Sequence, residues 1–153
     1  MDIDANARLR RLVTQRMTVL ADEGDVIAGL HVAGSNEYVV LAGFLESGTL
    51  LSLMIADKLF PCMEDQAQLL ELLNRLNGDT LSGVHQLAVF PHGVIYSYKQ
   101  TIRLQGELDE ALFDRMLAEG VSEFGRGIRQ LCMEFSRPMG AKQEPDGRKM
   151  EIG

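Results

Sequence analysis

The side chains best suited to chemistry in this 153-residue chain are three histidines, and they are scattered. His31, His85 and His92 each lack a second His, Cys, Asp or Glu at the spacing of a metal-binding motif. We therefore predict no metal site and no cofactor, and we expect His31 and His92 to be surface residues or hydrogen-bonded partners. A site that the fold assembles from distant residues stays open at this point.

Two cysteines are a second possible source of reactivity. Cys62 and Cys132 lie far apart and form no C-x-x-C motif, which is typical of unpaired thiols in a reducing compartment. Cys62 precedes a predicted helix whose dipole would stabilise a thiolate, so a reactive Cys62 is an alternative to a small apolar loop residue. The sequence has no nucleophile elbow, phosphate-binding loop or paired carboxylate, and we predict that the protein is not an enzyme.

Two asparagines stand in the leucine-rich segment QLLELLNRLNGD, residues 68–79. Asn77 followed by Gly78 is typical of a helix end, with Gly78 in the left-handed conformation that stops the helix. Asn74 lies one turn earlier, and we expect its amide to reach the backbone that leads into residue 85. The favoured interpretation of Asn74, Asn77 and Gly78 is a structural clamp. The alternative is that Asn74 is a ligand-binding amide.

Helical periodicity predicts three helices. The first covers residues 4–22 and stops at Gly24, the second is the leucine-rich segment after Pro61, and the third runs from an N-cap at Asp109 to Phe135. Three glycines interrupt the third helix, where they allow another backbone to approach closely or mark a bend. They are Gly120, Gly125 and Gly127.

Period-two patterns and turn residues predict five strands, at 26–32, 37–45, 49–56, 85–90 and 94–104. Their short connections join antiparallel neighbours. The predicted fold class is therefore α+β, with an antiparallel five-stranded sheet and the order α-β-β-β-α-β-β-α. We expect one domain over residues 1–136 and a mobile C-terminal tail over 137–153, which has no apolar period.

Charge and hydropathy exclude some classes of partner. The net charge of −7 repels a phosphate backbone, so nucleic-acid binding is disfavoured. No apolar run is long enough to span a membrane, and the N-terminal segment lacks the apolar stretch of a secretory signal. We expect a cytoplasmic protein that contacts neither nucleic acid nor membrane.

The second and third predicted strands carry apolar side chains on both faces. A lone antiparallel sheet with helices on one face normally alternates apolar and polar residues. An apolar second face would exceed what monomers usually leave exposed, so we expect a second copy of the chain to cover it. The chain's own long helix and a bound client segment are the alternatives. The candidate dimer residues are Val39, Leu41, Leu51, Leu53 and Ile55.

The stretch LLELLNRLNGDTLSGVHQLAVFPHGVIYSYKQTIRL, followed by a long helix, resembles the YbjN-domain family. The similarity runs from about residue 5 to 135, and its most specific part is the L-L-N-x-L-N pattern at 72–77. The turn PHG and the tail depart from the family pattern. Members of this family are described as bacterial sensory transduction regulators. The resemblance therefore implies a regulatory role and the architecture of type III secretion chaperones. It implies no catalytic residues for this chain.

Two functional hypotheses follow from the sequence. The first is a non-enzymatic, protein-binding regulator, adaptor or chaperone-like homodimer with a protein or peptide partner. The second is a small-ligand sensor or an enzyme, with a site assembled across the sheet from Cys62, Asn74 or a histidine. A broad apolar groove would favour the first, and a deep site with convergent polar groups would favour the second.

Overall fold

The computed structural model of the chain describes residues 3–45, 49–56, 60–61, 66–80, 82–90 and 93–136. Its three α-helices are α1 (Ile3–Arg16), α2 (Gln66–Gly78) and α3 (Glu110–Leu131), and a π-helical turn, Cys132–Ser136, follows α3. The strands are β1 (Thr18–Asp22), β2 (Val26–Ala33), β3 (Asn36–Leu45), β4 (Leu50–Ala56), β5 (Phe60–Pro61), β6 (Val84–Phe90) and β7 (Gly93–Arg103).

The predicted first helix over 4–22 is wrong beyond Arg16. α1 ends there, and the chain turns back into β1, which pairs with β2. The first two residues of β1 are β-branched, and such side chains favour a strand. Gly24, the predicted helix stop, has a φ of 85° and instead lies in the turn between β1 and β2. Leu20, which fits the apolar stripe of a longer helix, is 53% exposed.

All strand pairs in the described residues are antiparallel and belong to one sheet. The order is β1-β2-β3-β4-β7, and both β5 and β6 also pair with β7. The predicted five strands become six of at least five residues, because β1 replaces the end of the predicted first helix. The two-residue β5 is a further short segment. The α+β class and the antiparallel sheet are confirmed.

The three helices pack on the same face of the sheet. α1 lies over β2, where a side chain at Gly29 would meet the Met17 thioether at 2.5 Å. α3 lies over β4 and β7, and α2 contacts β6. Alternate residues of the strands therefore point into one core with the apolar faces of the helices. The strand residues with the least exposure in that core are Val40, Ala42, Leu51, Leu53, Ile55, Tyr96 and Tyr98.

α3 begins as predicted, because Asp109 accepts a hydrogen bond from the Ala111 amide at 3.1 Å. Two of its three glycines allow close approach to the sheet. Gly120 lies against Ile55 and Gly127 lies against the Tyr96 hydroxyl, whereas Gly125 faces only the flexible end of Arg129. The regular helix ends at Leu131, so the last residues of the predicted helix form the π-helical turn.

Some expectations fall on residues outside those the structure describes. These are the reactive-thiol alternative at Cys62, the assignment of His92, and the tail over 137–153. Within the described helices, none combines the length and the hydropathy needed to cross a membrane.

Candidate functional site

The sheet face opposite the helices has no helix over it in the described part of the chain, and we call it the open face. Strand register places Leu30, Val39, Leu41, Met54 and Ala56 together on it, because these residues lie directly opposite one another on β2, β3 and β4. Val39, Leu41, Met54 and Ala56 line a depression of about 560 Å³ that also includes Gln86, Leu87, Ala88, Ile95 and Ser97. The centre of the open face is therefore apolar, and Lys99 on β7 lies beside it, directly opposite Met54.

The five candidate dimer residues do not lie on one face. Val39 and Leu41 are on the open face, but Leu51, Leu53 and Ile55 point into the helix-covered core and are 0% exposed. Successive apolar residues of β3 and β4 point to opposite faces of the sheet. One set of alternate residues fills the core, and the other set forms the open face. A surface contact through Leu51, Leu53 or Ile55 is incompatible with this placement.

The clamp expected for Asn74 is made by Asn77. The Asn77 Nδ2 donates to the His85 carbonyl at 3.1 Å, and the His85 amide donates to Asn77 Oδ1 at 2.7 Å. Asn74 is exposed, and no hydrogen bond of its side chain is seen among the described residues. Gly78 is the last residue of α2 and is not in the left-handed region, so the prediction of a left-handed stop is wrong. Instead, the Thr80 hydroxyl closes the helix by donating to the Leu76 carbonyl at 2.7 Å.

Asn77→Ala and Asn74→Ala should have clearly different effects on stability. Removing the Asn77 amide leaves the N–H and C=O of His85 without partners, and we expect a loss of about 1–3 kcal/mol in the free energy of unfolding. Asn74→Ala, the same substitution one turn earlier, should change that free energy by no more than about 0.5 kcal/mol. Urea unfolding monitored by circular dichroism measures both values. Equal losses in the two variants would contradict the assignment of the clamp to Asn77.

A polar cluster lies under α3, next to this clamp. We call it the His85 cluster and define it as Thr80, His85, Tyr96, Glu123 and Arg126. The His85 side chain is fully buried, with Nδ1 at 2.5 Å from Tyr96 Oη and Nε2 at 3.2 Å from Glu123 Oε1. Arg126 Nη2 donates to Glu123 Oε1 at 2.8 Å and to Thr80 Oγ1 at 2.7 Å. The cluster joins the end of α2, β6, β7 and α3.

The electrostatics of the His85 cluster follow from burial and from one ion pair. Burial lowers the pKa of His85, and the Glu123 carboxylate only partly opposes this effect. The hydrogen bond from Arg126 is the main cause that lowers the pKa of Glu123 to about 2. Burial raises the pKa of Tyr96. At neutral pH the cluster therefore holds a neutral imidazole, a neutral phenol and an ionised Glu123–Arg126 pair.

Beside the cluster is a polar groove of about 330 Å³. Its lining residues are Asp79, Thr80, Ser82, Glu119, Ser122 and Glu123. The groove is not arranged for acid–base catalysis by Glu123, because both oxygens of that carboxylate already accept hydrogen bonds from Arg126. In the described residues, no group of three or more His, Cys, Asp or Glu side chains is placed to hold a metal ion.

The other candidate residues from the sequence belong neither to the open face nor to the His85 cluster. Cys132 is exposed in the π-helical turn at the end of α3. His31 lies on β2, and its Nδ1 is buried without a hydrogen-bond partner among the described residues. Sequence reasoning missed the His85 cluster, although Glu123 and Arg126 have the i,i+3 spacing of an ion pair on one helix face. That pattern alone does not indicate which strand residue the pair contacts.

Comparisons with known proteins place the fold. No family model matches the sequence, and no curated protein matches it. A crystal structure of YbjN, a proposed transcription regulator from E. coli, matches 82% of this chain and 89% of the YbjN chain, with a TM-score of 0.62 and 9% sequence identity. The chain has a YbjN-like fold. At 9% identity, this similarity to YbjN concerns the architecture alone.

Proposed function

We propose that the protein is a non-enzymatic, cytoplasmic regulator or adaptor that works by binding protein, and that it is a divergent member of the YbjN family. The YbjN-like architecture supports this assignment, since the matched protein is itself a proposed transcription regulator. Function belongs to sites and not to folds, so the proposal needs a surface as well. The observation that carries it is the apolar open face.

The occupant that we propose for the open face is a second copy of this chain, in a homodimer. The side chains at the centre of this face are aliphatic or thioether groups on three adjacent strands, namely Leu30, Val39, Leu41, Met54 and Ala56. Burial of such a surface is favourable by about 25 cal/mol per Å². These five side chains carry no charge, and Lys99 beside them, opposite Met54, partly offsets the net charge of −7 that each chain brings to the contact. Symmetric pairs also bury the same patch on both partners.

Leu41→Lys should convert the dimer into monomers. Light scattering of the wild-type chain should give twice the 17.0 kDa of one chain, and the variant should give 17.0 kDa, because the lysine places a charge in the centre of the contact. Leu70→Lys is the matched control. Leu70 is 57% exposed on α2, away from the open face, so this variant should keep the wild-type mass.

A wild-type mass of 17.0 kDa at micromolar concentration would contradict the homodimer. A peptide or protein client would then be the remaining occupant of the open face within the proposed function. That outcome would favour a chaperone-like role. Circular dichroism of Leu41→Lys distinguishes loss of the dimer from loss of the fold.

The polar groove beside the His85 cluster favours the alternative of a small-ligand sensor. It offers hydroxyl and carboxylate groups, such as Ser82, Ser122 and Glu119, to a cationic ligand. Glu123 in its wall is, however, already neutralised by Arg126. The larger apolar depression on the open face therefore supports protein binding better than this groove supports a ligand site.

A further inference from the structure

The hydrogen bonds of the His85 cluster fit one protonation state of the imidazole. If Tyr96 donates to His85 Nδ1, then Nε2 carries the proton and donates to Glu123 Oε1. Thr80 is then free to donate to the Leu76 carbonyl while it accepts from Arg126 Nη2. This assignment is chosen for the hydrogen-bond network, and it gives each of these O–H and N–H groups an acceptor.

A second proton on His85 breaks this arrangement. Nδ1–H would have to donate to Tyr96 Oη, so the Tyr96 hydroxyl could no longer donate to the ring. Among the described residues, no second acceptor for that hydroxyl is seen, and its far side lies against the backbone of Gly127. A buried hydroxyl without an acceptor is costly. The added charge would also lie in a fully buried ring.

The surroundings of His85 limit the compensation for that charge. Glu123 is the carboxylate within hydrogen-bond distance, but its Oε1 already accepts from Arg126 Nη2 and, in the neutral state, from His85 Nε2. The positive charge of Arg126 opposes a second positive charge on the ring. The titratable and charged groups near His85 come from three elements. They are Asp79 after α2, Tyr96 and Tyr98 on β7, and Glu119, Glu123 and Arg126 on α3.

We propose that the His85 cluster is an acid-sensitive lock, in which a protonated His85 ring leaves its buried position and so weakens the attachment of Thr80 and the end of α2 to α3 and β6. His85 is the residue through which the elements are joined: its ring contacts Thr80, Tyr96 and Glu123, and its backbone is held by Asn77. Loss of the ring contacts leaves the Asn77 amide and Arg126 to hold the end of α2. This lock is independent of the proposed dimer.

The sign of the effect follows from the pKa of His85. That pKa is lower in the folded protein than the ordinary value of 6.5, so the unfolded chain takes up the proton first. The contribution of His85 to stability is complete above pH 6.5 and is lost progressively as the pH falls below it. Glu123 acts in a separate window, because its pKa moves from 4.5 in the unfolded chain to about 2.

The test is thermal unfolding of the full-length protein at pH 7.5, 6.5 and 5.5. The wild-type melting temperature should fall by several degrees between pH 7.5 and 5.5, and His85→Gln should remove this dependence. His31→Gln and His92→Gln are the controls and should keep the wild-type fall. The same fall in His85→Gln as in the wild type would overturn the proposal.

A second measurement needs only the wild-type protein and covers the case in which His85→Gln does not fold. The amides of His85 and Thr80 report on the lock, since they donate to Asn77 Oδ1 and to the Asn77 carbonyl. Their hydrogen-exchange protection factors should fall several-fold from pH 7.5 to 5.5. The Phe113 amide, bonded to the Asp109 carbonyl at the far end of α3, should keep its protection. Equal behaviour of the three amides would show that no local release occurs.

Discussion

Gly127→Ala should destabilise the protein by about 3 kcal/mol or more, although the substitution adds one methyl group to a helix. That methyl would overlap Tyr96 Oη and the ring carbon that bears it. Tyr96 is 0% exposed and its hydroxyl is bonded to His85, so neither ring can move without loss of the cluster. Overpacking costs about 1–3 kcal/mol and a lost buried hydrogen bond adds to it. Chemical denaturation gives the value directly.

Gly125→Ala is the matched control for Gly127→Ala. It lies in the same helix, and the nearest atom to an added methyl is Arg129 Nη1 at 3.4 Å. Because that side chain can move and alanine favours a helix by up to about 1 kcal/mol over glycine, this variant should be slightly more stable than the wild type. Similar losses in both variants would mean that helix propensity, and not contact with Tyr96, governs position 127.

Leu53→Lys should prevent folding under ordinary conditions, with an expected loss of more than about 4 kcal/mol. Leu53 is 0% exposed on the helix-covered side of β4, opposite Ala42 on β3 and the buried Gln100 on β7. A lysine there would bury an unpaired charge and remove apolar contacts in the same position. Circular dichroism and soluble yield measure the effect.

Leu41→Lys provides the comparison on the opposite face of the sheet. Leu41 points away from the helices, so this variant should stay folded while its mass changes. Comparison of the two variants distinguishes an apolar strand residue in the core from one at an interface. A folded, monomeric Leu53→Lys variant would contradict the assignment of the two faces.

The sequence allowed the class of the fold to be predicted because its periodicities are strong. The leucines of α2, the alternation in β7 and the N-cap of α3 at Asp109 all correspond to the observed elements. The first helix was predicted too long because residues 17 and 20 continue a helical apolar spacing across the turn into β1. Pairing with β2 determines that this segment forms the strand β1. A local sequence pattern gives no information about that pairing.

The site was less predictable than the fold. The dense apolar residues of β3 and β4 correctly indicated two apolar faces, but nothing in the spacing shows which face the helices cover, so Leu53 was grouped with Leu41. The His85 cluster depends on contacts between residues up to 46 positions apart, such as Arg126 and Thr80. The clamp expected at Asn74 is formed by Asn77 for the same reason. Packing determines which side of the helix faces β6, and the sequence spacing alone does not show it.

The Asn77 amide has a consequence for how the sheet ends. His85 lies on β6, whose pairing partner in the described residues is β7, and both of its backbone groups turn outward to Asn77. A side-chain amide thus takes the place of one residue of an additional strand. At the opposite edge, the register of β1 shifts between Val19 and Ala21, and such irregularities discourage strand addition. Each edge of the sheet therefore has one feature that opposes edge-to-edge pairing at that point, and stacking through a face is the more accessible mode of self-association.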